Sequence, residues 1–200
     1  MNKTSVILLF SLTAGLFFSC SPKNISTKYY YENEKVLDRI EKNYKEEYPK
    51  GPFNVGFTDR KFNHISLEII TDTLSYIYEF NIDEPRLADT LLAYKLNAPK
   101  IISLIKEMNT IRCTWINRSD YYVDGKKHSL IFMSIKPYAL KAPLSYAKYY
   151  VLTYFEQPQY FDNEGRLLDK RKLRRLRKIN GETFRRINSK VAYSISGTFR

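Results

Sequence analysis

Between Leu74 and Ile82 an apolar residue stands at every second position: Leu74, Tyr76, Tyr78, Phe80 and Ile82. A helix turns by about 100° per residue and scatters such a set around its surface, whereas a strand lines all of it on one face. Ile65, Leu67 and Ile69 repeat the period just upstream, and Thr71-Asp72 lies between the two segments. The pattern predicts an antiparallel hairpin, so the chain must build a sheet.

Helical spacing surrounds this hairpin. A helix is predicted from Asn33, whose side chain can cap it, with Val36, Leu37, Ile40, Tyr44 and Tyr48 as the buried stripe and Pro49, Gly51 and Pro52 as the stop. Asp83-Glu84-Pro85 starts a second helix carrying Leu87, Leu91, Leu92 and Tyr94. After Asn97-Ala98-Pro99 a third carries Ile101, Leu104, Ile105 and Met108. Strands are predicted over 110–118 and 128–136, joined through the hairpin dipeptide Asp124-Gly125, and over the Tyr/Val/Leu/Phe-rich 148–157. Asp162-Asn163-Glu164-Gly165 is a turn, and a basic helix over 169–180 runs from Asp169 to Asn180-Gly181. A last strand, 190–199, carries Val191, Tyr193, Ile195 and Phe199 on one face. The expected fold is a single α+β domain over 33–200, with about six mainly antiparallel strands and three or four helices.

The N-terminus has a different character. Lys3 precedes an uncharged stretch from Val6 to Phe18, then Ser19-Cys20-Ser21-Pro22. This stretch of thirteen uncharged, mostly apolar residues falls short of the about 20 that a bilayer-crossing helix needs, and a cationic flank with a small residue before a cut site reads as an export signal. Residues 16–20 resemble the relaxed lipobox of a bacterial lipoprotein precursor of the Bacteroidota type, cleaved before cysteine by signal peptidase II. Ser19 fits that pattern; Phe17 and Phe18 depart from it. The resemblance implies a signal peptide over 1–19, lipid on Cys20 and a tether over 20–32. Ser21 resembles the residue that sends such proteins to the outer membrane, and the absence of an acidic run after Cys20 favours the periplasmic face.

The formal net charge is +12. Much of it is local: residues 164–190 hold eleven Lys and Arg against Glu164, Asp169 and Glu182. On the predicted helix Leu173, Leu176 and Ile179 dock inward, leaving Arg171, Arg174, Arg175 and Lys178 as candidate anion-binding residues. A solvated helix face whose stems cover apolar surface is the ordinary explanation. Next to a membrane, each basic residue adds about 1 kcal/mol of attraction to anionic lipid. Anionic lipid, lipopolysaccharide or an envelope protein are the partners this charge fits, beside the membrane reached through Cys20; an export signal argues against nucleic acid.

Other chemistry is sparse. Cys113 reads as a small core residue. His64 and His128 have no ligand-spaced carboxylate or cysteine nearby, against the three or four protein ligands of a zinc site, so no metal and no cofactor is expected. Glu68, Glu79 and Glu156 lie in predicted strands and are the candidates for paired acid–base carboxylates. In strands, each of the pairs Tyr121-Tyr122 and Tyr149-Tyr150 should point one ring in and one out. Thr73 and Thr90 sit in Asp-Thr-Leu triplets that resemble an O-glycosylation motif of exported Bacteroidota proteins, with Thr73 in a turn and Thr90 in a helix. The expectation for function is an envelope lipoprotein that binds or scaffolds. The rivals are a periplasmic glycan- or peptide-processing enzyme and a subunit of a larger envelope assembly.

Overall fold

The computed structural model describes residues 21–123, 126–136, 148–167 and 184–197. In chain order these form helix α1 (Pro22–Glu47), a 3-10 turn (Tyr48–Lys50), strands β1 (Phe53–Phe57), β2 (His64–Ile70) and β3 (Ser75–Asn81), helices α2 (Pro85–Ala93) and α3 (Ala98–Thr110), then β4 (Trp115–Val123), β5 (Lys126–Ser134), β6 (Tyr149–Phe155), β7 (Arg185–Arg186) and β8 (Val191–Ser196). All eight strands join one antiparallel sheet in the order β3-β2-β1-β4-β5-β6-β8-β7. The fold is therefore α+β, with more strands than the sequence patterns suggest.

Alternation divides the sheet into two faces. Phe53, Val55, Ile65, Leu67, Ile116, Ile131, Met133, Leu152 and Val191 point to the face that the three helices cover. Leu37, Ile40 and Tyr44 of α1, with Ile101, Leu104 and Met108 of α3, fill the space above them. A smaller core lies on the opposite face, where Leu130, Phe132, Tyr149, Val151 and Ala192 meet Leu167 and Phe184. Because both faces are covered here, Tyr149 and Tyr150 are both buried, against the one-in, one-out expectation. Tyr121 and Tyr122 follow that expectation, one buried and one exposed.

The largest departure is at α1. It begins at Pro22, so the stretch from 22 to 32 expected as tether is helical. Ser21 caps it, accepting from the Asn24 amide at 3.2 Å, with Pro22 in the first turn. The early turns are docked: Tyr30 is buried, Tyr29 donates to the Ile111 carbonyl at 2.8 Å, and Asn188 donates to the Tyr30 hydroxyl at 3.0 Å. These contacts come from residues far along the chain, and they hold a segment whose own polar composition gives no stripe strong enough to predict. At the other end Tyr44 donates to the Phe53 carbonyl at 2.7 Å, which fixes α1 across β1.

Two further boundaries move. The strand expected at 110–118 starts only at Trp115, because α3 runs to Thr110 and ends through Arg112 at φ 60. The Cys113 amide donates back to the Met108 carbonyl there, at 2.9 Å, a left-handed helix stop. Correspondingly β5 covers 126–134 rather than 128–136. The hairpin dipeptide Asp124-Gly125, and the end of the last strand with Phe199, lie outside the described residues. The first hairpin is as expected, with Ile69 opposite Tyr76 and Ile65 opposite Phe80. Being the edge strand, β3 keeps Tyr76 and Ile77 exposed, and Leu74 in the turn before it is exposed as well.

Candidate functional site

A cleft of about 500 Å³ opens between α1 and the ends of β6 and β8. The helix supplies Tyr30, Asp38, Glu41 and Lys45 along one flank. That spacing is set by the stripe next to it: once Leu37, Ile40 and Tyr44 face the sheet, their neighbours at 38, 41 and 45 must overhang its edge. The opposite wall is Tyr154 and Glu156 at the end of β6, with Asn188 to Lys190 just before β8. Tyr154 pairs with Val191 across these two strands, so the wall is held by the sheet itself.

The carboxylates of the cleft differ in environment. Glu41 is half-buried; its pKa is raised by burial and by Asp38, and Lys45 and Lys190 only partly counter this. Asp38, at the exposed mouth, is also raised, by desolvation and then by Glu34. Glu156 is lowered: some burial opposes ionisation, but the Ser129 amide at 2.8 Å, with Lys45 and His128, outweighs it. His128 Nδ1 lies 3.5 Å from Glu156 Oε2. One cleft is thus lined by a carboxyl whose pKa is raised and one whose pKa is lowered. Such separation is what acid–base pairs use.

Glu41 yields a prediction on stability. A carboxyl whose folded pKa lies above its unfolded value binds more protons when folded, so stability falls as pH rises through that interval. Glu41→Gln, which mimics the protonated form, is expected to raise the melting temperature at pH 7. The gain should vanish below the ordinary glutamate range, where both states are protonated. A lower melting temperature at pH 7 would contradict the burial of this charge.

Of the residues singled out from sequence, Glu156 is in the cleft, while Glu68 and Glu79 are not. Glu68 on β2 accepts from Asn54 at 2.8 Å, and Glu79 lies exposed on the edge strand opposite Ser66. Asp38 and Glu41 carried no sequence signal, reading as the polar side of a helix. Cys20 and the basic-helix residues Arg171, Arg174, Arg175 and Lys178 lie outside the described residues. From the same basic stretch, Lys190 lines the cleft, Arg166 pairs with Glu164, and Arg185 and Arg186 form β7. Cys113 is fully buried and its thiol is pushed up to about 12 by desolvation, which leaves it inert as a nucleophile. Among the described residues no group of His, Cys, Asp and Glu could hold a metal. Thr73 is exposed between β2 and β3, and Thr90 is in α2. Nor is any described helix long and apolar enough to cross a membrane.

No protein-family model matches the chain, and neither a curated protein nor a solved structure matches it.

Proposed function

We propose that this chain is an exported envelope lipoprotein, held by lipid on Cys20, whose α+β body is a binding module with its ligand site in the cleft between α1 and β6–β8. The observation that carries the binding role is the cleft itself: an open, polar hollow whose walls come from segments more than a hundred residues apart and hold carboxylates in contrasting environments. The sequence from Lys3 to Cys20 supports the anchor. Since α1 starts at Pro22, the lipid in this reading joins a docked helix with almost no spacer, and the body sits close to the bilayer in a restricted orientation. The outer membrane, periplasmic face, remains the proposed location. The basic segment, with Arg171, Arg174, Arg175 and Lys178 facing anions, is the proposed second membrane contact.

Cells fed labelled palmitate are expected to label the native chain, and Cys20→Ala to take up none. The unlipidated variant should still bind anionic vesicles, weakening with salt. A photo-crosslinking residue at Ser189, on the cleft rim, should capture a saccharide or peptide component of native envelopes. An unlabelled Cys20 removes the anchor; an empty crosslink at Ser189 removes the binding role.

The contrast between Glu41 and Glu156 also favours a second reading, a periplasmic glycan- or peptide-processing enzyme using the two as acid and base. Turnover of the captured component, abolished by Glu156→Gln, separates this from plain binding.

A further inference from the structure

The two edges of the sheet are finished differently. At one edge β7 has two residues and offers little to pair with. At the other, β3 runs for seven residues without Lys, Arg or Pro, in unbroken register with β2, so no bulge interrupts it. Basic residues, proline and bulges are the features that keep edge strands from pairing with other chains. Antiparallel partners alternate between exchanging hydrogen bonds and not. The Thr71 amide donates to the Leu74 carbonyl at 2.8 Å, and the Ile82 amide to the Asn63 carbonyl at 2.9 Å. Between these two fixed points Tyr76, Tyr78 and Phe80 bond to β2, while Ser75, Ile77, Glu79 and Asn81 turn their N–H and C=O away from it. Asn81 is already occupied: its amide donates to Glu84 Oε2 at 3.1 Å, and its carbonyl accepts from the Glu84 amide at 3.0 Å. Three residues remain, evenly spaced about Ile77, which is itself 69 % exposed.

We propose that β3 is a self-pairing edge: a second copy of this chain adds antiparallel to it about a two-fold axis through Ile77, making one sheet continuous across two chains. In this register Ile77 faces the copy's Ile77, and Ser75 faces the copy's Glu79. All six outward backbone groups then find partners, because the copy presents the same set in reverse order. The side chains agree with this register. The Ser75 hydroxyl donates to the copy's Glu79 carboxylate. The two Glu79 carboxylates, the only charges on β3, stand four residues apart along the strands, about 14 Å, beyond the Debye length of about 8 Å at physiological salt. On the helix side the exposed Tyr76 meets the copy's Tyr78, a favourable cross-strand pair. An unrelated extended segment satisfies the same backbone groups without this match of Ile77, Ser75 and Glu79, which makes a second copy the favoured occupant. The edge lies at the opposite end of the sheet from the cleft, so this pairing does not rest on the binding role.

The contact is one strand wide, less than the about 800 Å² per partner of a standard interface, so a dissociation constant of about 10 µM is expected. Sedimentation of the full chain in detergent micelles, from well below to well above that concentration, should show monomer giving way to dimer. Ile77→Lys sets two ammonium groups against each other across the axis and is expected to weaken pairing about a hundredfold, with the melting temperature of the monomer unchanged because the side chain is exposed. Under copper-catalysed air oxidation Ile77→Cys should form a disulfide-linked dimer, since facing residues lie about 5.5 Å apart at Cα. Ser75→Cys, about 14 Å from its own counterpart, should not. Cys113 is buried and does not compete. A chain that stays monomeric throughout, a dimer that Ile77→Lys leaves intact, or cross-linking through Ser75→Cys in preference to Ile77→Cys would overturn the proposal. So would an Ile77→Cys chain that links to a different envelope protein and not to itself, which would assign the edge to a foreign strand.

Discussion

Gly56→Ala is expected to destabilise the chain by about 3 kcal/mol, the upper end of what a single inserted methyl costs in a packed region. Gly56 lies in β1 opposite Trp115 of β4. A Cβ built there falls 1.8 Å from Trp115 Cε3 and 2.7 Å from two more ring atoms, well inside any real carbon–carbon contact. The β1–β4 pairing holds the two backbones together, so relief requires the indole to leave its rotamer or the strands to part. The glycine is required for the indole's close approach, not for an unusual backbone angle. Urea unfolding should show the midpoint falling for Gly56→Ala alone. In a Trp115→Leu background the same alanine should cost far less, because the two sites are directly coupled. An unchanged midpoint in the single variant would show that β1 and β4 can part at no cost.

Leu37→Ala is expected to cost about 3 kcal/mol, within the range for emptying a fully buried leucine site. Leu37 is 0 % exposed and sits in the stripe with Ile40 and Tyr44 that fastens α1 to the sheet. The loss should not be uniform. Hydrogen exchange should show α1 amides losing protection before those of β4 and β5, since the sheet keeps its own ladder and only the helix loses its seat. Uniform loss would mean that α1 and the sheet unfold as one unit. The effect bears on function: α1 forms one wall of the cleft and, in the proposed function, carries the lipid at its start. Loosening it should weaken ligand binding even though Leu37 does not line the cleft.

Some of this was legible from local pattern. The β2–β3 hairpin was written in its two-residue period and the Thr71 turn, where the Thr71 side chain both donates to the Leu74 carbonyl and accepts from its amide. Helices α2 and α3 were written in their proline starts and apolar stripes, and the Asp162 to Gly165 turn closes with a 3.0 Å bond between its ends. Ser21-Pro22 is a cap-and-proline start of the same kind, readable in principle, but no apolar stripe follows it closely enough to announce a helix. Strand β1 hid for another reason. Its five residues do alternate, Phe53, Val55 and Phe57 against Asn54 and Gly56, but so short a run directly after the Pro49, Gly51 and Pro52 breakers is a weak signal, and β2 and β4 pair with it on both sides.

The amino-acid sequence by itself determined the local alternations, the helix starts and stops at prolines and asparagine, the concentration of positive charge in 164–190, and the short apolar segment ending at Cys20. Each of these depends on residues a few positions apart, and short-range sterics and hydrogen bonding suffice to express them. Tertiary structure alone decided that α1 is docked from its first turns, that β6 and β8 are buried on both faces, and that Asp38 and Glu41 meet Glu156, Tyr154 and Lys190. Those outcomes join segments more than a hundred residues apart. What selects them is the burial of one sheet face under three helices and of part of the other face against Leu167 and Phe184, a property of the folded whole that no local window contains.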